Sequence, residues 1–343
     1  MKKWVIYAIL ALIVVVIGYG IAGNRKVGSS DKIRVGAAIA LTGFGADFGQ
    51  SESNAIALLK EKYGDNENIE FYIEDTKSDV KSGLNAVKKL ISTDKCGIVF
   101  CELSSIVNAT SGIVGKAGAT LIAPVYLENL KDMPFAIRDL PSADQENAAL
   151  IAFLKANDIA CEKMGLLYSN DVFGQTCCTS MKKFLPVGSV VSFESAIDES
   201  ALRETALKAI EKQPDVIYLG SMSESLGLLV KFLRENGYNK EIITTDAFSY
   251  DYINSLAGEY AKGVRYVDFM DSPEYKEFRK NYEQRFGIKC VPSAMLCYDG
   301  ISIVISALKS GKDMNGSTYQ GLTGELIIKD NEIIYPIEVK TWN

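Results

Sequence analysis

The sequence predicts an α/β protein in which two doubly wound parallel-sheet lobes enclose a ligand cleft, preceded by an N-terminal apolar helix. Three observations support this prediction. Short β-branched runs alternate with amphipathic stretches from residue 33 onward, and the same order restarts after residue 145. Alternating strands and helices form parallel sheets joined by right-handed crossovers, so each series predicts one lobe. At 343 residues the chain is also long enough for about two domains.

The first 23 residues, MKKWVIYAILALIVVVIGYGIAG, predict a segment that enters a membrane. Lys2 and Lys3 precede an uncharged, mostly apolar run, which we expect to be an uncleaved anchor over residues 4–23. A cleaved signal peptide is the alternative, but the run is long for one and no cysteine near its end can accept a lipid. In both cases the positive flank stays in the cytoplasm and the body is exported, to the periplasm or the cell surface. The polar residues 24–31 then form a tether.

The first half of the body predicts four strands and three helices. Continuous apolar runs bounded by turns are typical of strands that are covered on both faces. The stretches between them carry apolar residues at spacings of three and four, which predicts helices. The strands are predicted at 33–41, 69–75, 97–101 and 119–124, and the helices at 48–64, 80–92 and 104–118.

The second half repeats this order, with strands predicted at 164–169, 189–195, 215–220 and 241–245 and helices at 174–184, 201–212 and 223–237. Two more helices, 272–287 and 292–311, and a β-rich tail must be added to these lobes. We expect three crossovers, near residues 140–145, 268–271 and 322–328. This division assigns residues 32–143 and 271–325 to the first lobe and residues 144–270 and 326–343 to the second.

Histidine is absent from the chain, and this absence excludes several kinds of chemistry. Ser-His-Asp and Cys-His catalysis and histidine-ligated zinc and haem all require it. No Walker A, GxSxG, HExxH or EF-hand pattern occurs. We therefore expect no catalytic residue, no metal and no cofactor, and an enzyme is only a minor alternative. The net charge of −6 argues against a nucleic-acid partner.

The seven cysteines are an odd number and include no CxxC pair. We expect structural thiols rather than a metal cage or a redox pair. Cys290 and Cys297 are the one local pair to inspect for a disulfide bond.

Ligands of open parallel sheets bind outside the carboxyl ends of the strands, which directs attention to the loops there. Ser104 and Ser105 lie after a predicted strand at the start of a predicted helix, where a hydroxyl group can cap the helix and the free N–H groups favour an anion such as a carboxylate. Asp246 directly follows a strand and can pair with a ligand ammonium group; a capping or solvated aspartate is the alternative. Asp75 and Asp171 follow strands in the same way and are expected to shape their loops.

The loop TGFGADFG, residues 42–49, follows the first strand and precedes a helix. Its glycines miss the G-x-G-x-x-G spacing of dinucleotide-binding loops by one residue, so nucleotide binding is disfavoured. Glycines at such a turn more often allow tight backbone geometry, and Phe44 and Phe48 beside them can cover an apolar ligand.

Several segments in this order carry a family resemblance: an export segment, IRVGAAIALTGFGADFG, IEFYIEDTKSD, GIVFCELSS, RDLPSADQEN, YSNDVFG, DVIYLG and YDG at 298–300. Together, over roughly residues 32–330, they resemble the type I periplasmic solute-binding proteins of the leucine/isoleucine/valine-binding family. The resemblance implies the periplasmic binding protein type I fold and capture of a small solute, most often an amino acid or a related carboxylate or amide. It also implies delivery to an ABC-type membrane permease. A sensor module that reports to another membrane protein is the alternative, and we expect a monomer.

The resemblance also assigns roles to residues of the cleft. The serine that binds the ligand carboxylate falls on Ser104, and the acid that binds the ammonium group falls on Asp246. The aromatic residues of the pocket wall fall on Phe48 and Phe173, and the backbone that contacts the carboxylate falls on Val125 and Tyr126.

Two positions depart from the family pattern. Leu127 stands where a carboxylate-binding threonine is usual, and Met222 and Ser223 stand where a pocket tyrosine is common. The ligand class therefore stays open between an amino acid, a more apolar acid, an amide and another small molecule.

Overall fold

A computed structural model describes residues 32–64, 68–186, 188–196 and 198–343. The predicted apolar helix or anchor and its tether lie outside these residues. Within the described part of the chain, no helix has both the length and the apolarity needed to span a bilayer.

The described residues of the first half of the body form five strands and three α-helices. All predicted elements are present, and their ends differ from the predictions by a few residues at most. The elements are β1 (Ile33–Ile39), α1 (Ala46–Tyr63), β2 (Ile69–Asp75), α2 (Val80–Ser92), β3 (Ile98–Cys101), α3 (Ser104–Lys116), β4 (Thr120–Ala123) and β5 (Ala136–Arg138). The strand β5 was not predicted, because three residues are too few to show a period.

In the second half, the described residues form the same kind of series and add three elements that were not predicted, α4, α8 and β10. The elements are α4 (Ala143–Ala156), β6 (Met164–Ser169), α5 (Val172–Lys183), β7 (Val190–Ser195), α6 (Glu199–Glu211), β8 (Val216–Gly220), α7 (Ser225–Glu235), β9 (Glu241–Thr244), α8 (Asp251–Ala257) and β10 (Arg265–Phe269). The rest comprises α9 (Pro273–Phe286), α10 (Pro292–Ser310), β11 (Thr318–Gly321), β12 (Gly324–Lys329), β13 (Glu332–Ile334) and β14 (Ile337–Thr341).

Two separate sheets define the two lobes. The first has the order β11-β12-β13-β5-β4-β3-β1-β2, and the second has the order β14-β10-β9-β8-β6-β7. The pairings among β1 to β5 and among β6 to β10 are parallel, as the alternating pattern predicts. The helix α10 packs on α1 of the first lobe, and α4 packs against α5, β10 and β14 of the second.

The chain passes between the sheets after β5, after β10 and after β13. The third passage differs from the prediction, which placed it near residues 322–328 and assigned residues 326–343 to the second lobe. Instead β12 and β13 pair with each other and with β5, so residues up to Ile334 belong to the first sheet and only β14 joins the second. The chain passes between the sheets here through two residues, Tyr335 and Pro336, which connect β13 to β14.

The predicted loop-shaping aspartates are confirmed. Asp171 caps α5 by accepting the Gly174 N–H at 2.8 Å. Asp75 accepts the Lys77 N–H at 2.8 Å and the Thr42 hydroxyl group at 2.7 Å, which closes the loop before α1.

The cysteine side chains are free thiols, and six of the seven are buried. Cys290 and Cys297 do not form a disulfide bond. Burial raises the pKa of Cys101 and of Cys290 to about 12, so these thiols are inert packing groups.

Candidate functional site

A cavity of about 270 Å³ lies between the lobes, at the carboxyl ends of their strands. Its walls come from the loops after β1, β3 and β4 of the first lobe and after β6, β8 and β9 of the second. The structure brings all six predicted site residues to these walls: Phe48, Ser104, Val125, Tyr126, Phe173 and Asp246. Position at the ends of strands predicted Ser104 and Asp246, because strand ends converge there, and the family resemblance predicted all six residues.

The two lobes present their phenylalanines by the same local geometry. Each is followed by a glycine, Gly49 in α1 and Gly174 in α5. A β-carbon at position 49 would lie 2.2 Å from the Ala40 carbonyl oxygen, and one at position 174 would lie 2.2 Å from that of Ser169. Only glycine allows the helix to approach the strand end this closely, so each Phe-Gly pair seats its helix while the phenylalanine lines the cavity.

Aromatic side chains from opposite lobes meet beside the cavity. The rings of Phe48 and Tyr250 pack edge to face with centroids 5.0 Å apart, and those of Tyr126 and Phe173 do so at 4.6 Å. In each pair the first ring belongs to the first lobe and the second ring to the second lobe. The structure is therefore a closed form in which the walls contact each other across the cleft.

The start of α3 differs in one respect from the prediction. The helix begins at Ser104, and its N-cap residue is Leu103, which has a φ of 65° and makes no side-chain cap bond. The predicted hydroxyl cap is therefore wrong, and the serines are free to face the cavity, which both of them line. The first N–H groups of an α-helix have no partner within it, so this turn presents donors to the cavity. A positive φ at a leucine is costly and is often found at functional sites.

Asp246 lies in a buried group with Tyr126 and Glu146. The Tyr126 hydroxyl group contacts both carboxyl groups: it donates to Glu146 Oε1 and lies 3.3 Å from Asp246 Oδ1. Burial and then the nearby charge of Asp268 raise the pKa of Asp246 to about 7. Burial and then the charge of Asp246 raise the pKa of Glu146 well above its usual value. Since a phenol has one proton to donate, the contact with both acids is favourable when one carboxyl group is protonated.

A second pair of buried acids, Glu52 and Glu102, lines the cavity on the side of the first lobe. Glu102 Oε1 accepts the Ala40 N–H. Burial raises the pKa of Glu102 to about 7. Burial and then repulsion from Glu102 raise the pKa of Glu52 well above its usual value.

Neither of these glutamates was predicted from the sequence. Glu102 directly follows β3, the position that singled out Asp246 after β9. Glu52 lies four residues after Phe48 on α1 and so shares its helix face, which is the signal that would have placed it in the cavity.

A third acidic pair lies close by. Asp139 is buried and accepts the Tyr335 hydroxyl group at 2.6 Å, and Asp299 accepts the Leu322 N–H at 2.8 Å. Burial raises the pKa of both carboxyl groups, that of Asp299 to about 7. Among the residues that the structure describes, no group of three or more cysteine and acidic side chains is arranged to hold a metal ion.

Known proteins resemble this chain in both sequence and fold. The Leu/Ile/Val-binding protein homolog 2 of Brucella abortus is 23% identical over 292 residues, which cover 80% of this chain and 77% of the relative. A solute-binding protein of an ABC transporter from Rhodopseudomonas palustris, solved with 3,4-dihydroxybenzoic acid, has a TM-score of 0.79 at 21% identity and covers 91% of this chain and 93% of its own. The substrate-binding protein LivJ of Streptococcus pneumoniae, solved with isoleucine, has a TM-score of 0.75 at 19% identity and covers 91% of this chain and all of its own (100%).

These matches confirm the resemblance to the leucine/isoleucine/valine-binding proteins and the two-lobed fold that it implied. The family model described as "Periplasmic binding protein" matches residues 32–324, which is most of the chain. This chain therefore belongs to the periplasmic binding protein family.

Proposed function

We propose that this protein is an extracytoplasmic solute-binding protein that captures a small solute between its lobes and delivers it to an ABC transporter. The observation that carries the proposal is the cavity, which both lobes enclose at the carboxyl ends of their strands. At about 270 Å³ it lies just below the usual range for ligand pockets, roughly 300 to 1,000 Å³, and so fits a small solute. Family membership and the ABC transporter proteins among the structural neighbours support delivery to a permease.

The cavity offers distinct partners to a solute. The first turn of α3 offers Ser104 and its N–H groups as hydrogen-bond donors, and Asp246 offers a carboxyl group from the opposite lobe. Aromatic walls at Phe48 and Phe173 suit an apolar body. Amino acids and related carboxylates or amides, the classes implied by the sequence, are accordingly among the solutes to test.

The N-terminal segment fits this function as an anchor. Residues 4–23 hold the protein at the outer face of the membrane, with Lys2 and Lys3 on the cytoplasmic side. The body then captures solutes as a monomer close to its permease.

A thermal-shift screen of the full-length protein tests capture. Amino acids, small amides, aromatic acids and amines are added singly at millimolar concentration. A solute that binds only the folded state at about 100 times its Kd stabilises it by about 2.7 kcal/mol, so at least one compound is expected to raise Tm. The Phe48→Ala variant, which loses a cavity wall, is expected to lose that shift. If no compound raises Tm, or if Phe48→Ala retains the whole shift, solute capture in this cavity is refuted.

A further inference from the structure

The cavity surrounds its solute with acidic side chains. In the described part of the chain, the acidic groups of its wall are Glu52, Glu102, Asp171 and Asp246, and no lysine or arginine contributes to it. We propose that the cavity selects an organic ammonium cation that carries no carboxylate group, with the ammonium group held by Glu52 and Glu102. This inference rests on the proposed function and narrows its class of solute.

Among the described residues, no positive side chain lines this cavity to meet a ligand carboxylate. Buried Arg138 is engaged elsewhere: one guanidinium nitrogen donates to the Leu127 carbonyl oxygen at 2.6 Å, and another lies 3.1 Å from Glu332 Oε1. The donors at Ser104 remain, but Glu102 lies two residues away on the same wall. Because charges interact strongly where water is excluded, these acids favour a cation and oppose an anion when they are ionised.

The carboxyl group of Glu52 indicates where the cation binds. Glu52 is 1% exposed, and its Oε2 atom is buried without a hydrogen-bond partner among the described residues. Buried polar atoms are nearly always paired, so this oxygen is available to a ligand. Asp246 differs, because the Tyr126 hydroxyl group already contacts it. An ammonium group has three N–H donors and no acceptor, so it can serve Glu52 and Glu102 together.

Aromatic rings complete a site of this kind. The rings that line the cavity are those of Phe44, Phe48, Tyr126, Phe173 and Tyr250. Faces of aromatic rings attract cations, and their carbon surface favours an apolar body. The solute that fits is therefore a small amine with an aliphatic or aromatic body.

Binding of a cation also requires the two glutamates to be ionised. Burial raises the pKa of both, so the empty cavity holds protons that an ammonium group displaces. The other titratable groups that interact with this pair are Asp139, Tyr250, Cys101 and Cys297. Amine affinity is accordingly expected to rise from about pH 6 to about pH 8, whereas the affinity of a carboxylate ligand is expected to fall.

Isothermal titration of the full-length protein with matched compounds tests the charge preference. One set is 2-phenylethylamine, phenylalanine and 3-phenylpropionate, and the other is 3-methylbutylamine, leucine and 4-methylpentanoate. In at least one set we expect the amine to bind about tenfold or more tightly than the zwitterion and the anion, and to bind more tightly at higher pH. A zwitterion or an anion that binds as tightly as the amine overturns the inference and leaves the proposed function intact. If neither these compounds nor any solute of the thermal-shift screen binds, both proposals fail.

Two conservative variants test the position of the cation. Glu52→Gln and Glu102→Gln retain shape and remove charge, and each is expected to weaken amine binding about tenfold, equivalent to about 1.4 kcal/mol. The control is Glu74→Gln. In the wild-type protein the Glu74 carboxyl group pairs with Lys89 at the surface of the same lobe, so this variant is expected to leave the affinity for the amine unchanged. The amine that binds wild type is the probe, and circular dichroism confirms that each variant is folded. If both cavity variants bind the amine as tightly as wild type does, or if Glu74→Gln weakens amine binding to the same extent, the placement of the ammonium group at Glu52 and Glu102 is overturned.

Discussion

The buried carboxyl groups are the residues that set the chemical character of this protein. Glu52, Glu102, Asp139, Asp246 and Asp299 are each at most 4% exposed, yet a carboxylate is stable in such surroundings only when it is paired or protonated. Most of them are protonated in the empty protein, because burial raises their pKa values. Three of these acids, Glu52, Glu102 and Asp246, line the cavity, where their protonation can respond to the charge of a ligand.

These acids predict how the stability of the protein depends on pH. The folded state holds protons up to about pH 7 at Glu102, Asp246 and Asp299, whereas the unfolded chain releases them near its ordinary carboxyl pKa of about 4. The folded state therefore binds more protons between these limits, and its stability falls as pH rises from about 4.5 to about 7. We expect the empty protein to melt roughly 5 °C higher at about pH 5 than at about pH 7.5.

Differential scanning calorimetry of the ligand-free protein measures this dependence. The salt-bridged Glu70 at the surface has a pKa lowered to about 2, so its opposite effect appears only below about pH 4.5 and does not disturb the window. A Tm that rises between about pH 5 and about pH 7.5 would show that the acids are ionised and paired in the empty cavity.

The sequence located one half of the polar site and missed the other for a physical reason. Asp246 and Ser104 lie within three residues of the ends of β9 and β3, and strand ends converge, so their position could be predicted. Glu102 directly follows β3 and was within reach of the same rule. Glu52 lies in the second turn of a helix that reads as amphipathic, where an acidic residue is normally solvated. It lies on the helix against which α10 packs, and this packing is not visible in local sequence.

At the scale of elements, the helices α1 and α5 owe their position to a single glycine each. Gly49 and Gly174 let these helices sit against the ends of β1 and β6, where any β-carbon would collide with a backbone carbonyl oxygen. Because the obstacle is backbone, it cannot turn aside as a side chain would. The two Phe-Gly pairs occupy equivalent positions in the two lobes, which is the clearest sign that the second half of the body repeats the first.

Alanine substitutions test this role of the two glycines. Gly49→Ala and Gly174→Ala are each expected to lower the free energy of unfolding by about 1 to 3 kcal/mol or more, through overpacking. Gly112→Ala is the matched control, because Gly112 also lies in a helix but has open space at its β-carbon position. That control is expected to stabilise by roughly 0.5 to 1 kcal/mol. Urea denaturation measures the free energy of unfolding of the three variants. Equal effects at the three positions would contradict the close approach of α1 and α5 to the strand ends.

Elements with long apolar runs could be predicted, whereas short or charged ones could not. The strands β1, β3 and β8 are buried on both faces and were found from composition alone. In contrast, β10 reads RYVDF, and its charged residues Arg265 and Asp268 conceal a strand that pairs with β9 and β14. The third passage between the lobes was misplaced because the tail alternates in a way that suits either sheet, and only the pairing of β13 with β5 decides between them.

At the scale of the whole molecule, the two sheets are joined by three short passages, and the cavity lies between them. Phe48 extends from the first lobe into the apolar cluster of the second, so closure buries apolar surface as well as enclosing the solute. A solute shifts the population toward the closed form only through contacts that the open form lacks. The residues that line the cavity from opposite lobes, such as Glu52 and Asp246, supply contacts of that kind.

Small-angle X-ray scattering of the full-length protein, with and without a solute that raises its Tm, tests this central claim most directly. If the solute is captured between the lobes, saturation shifts the molecules from open to closed forms, and the radius of gyration decreases. The Phe48→Ala variant is expected to show a smaller decrease at the same solute concentration. A radius of gyration that stays constant at saturation, for a solute proven to bind, would contradict capture by closure.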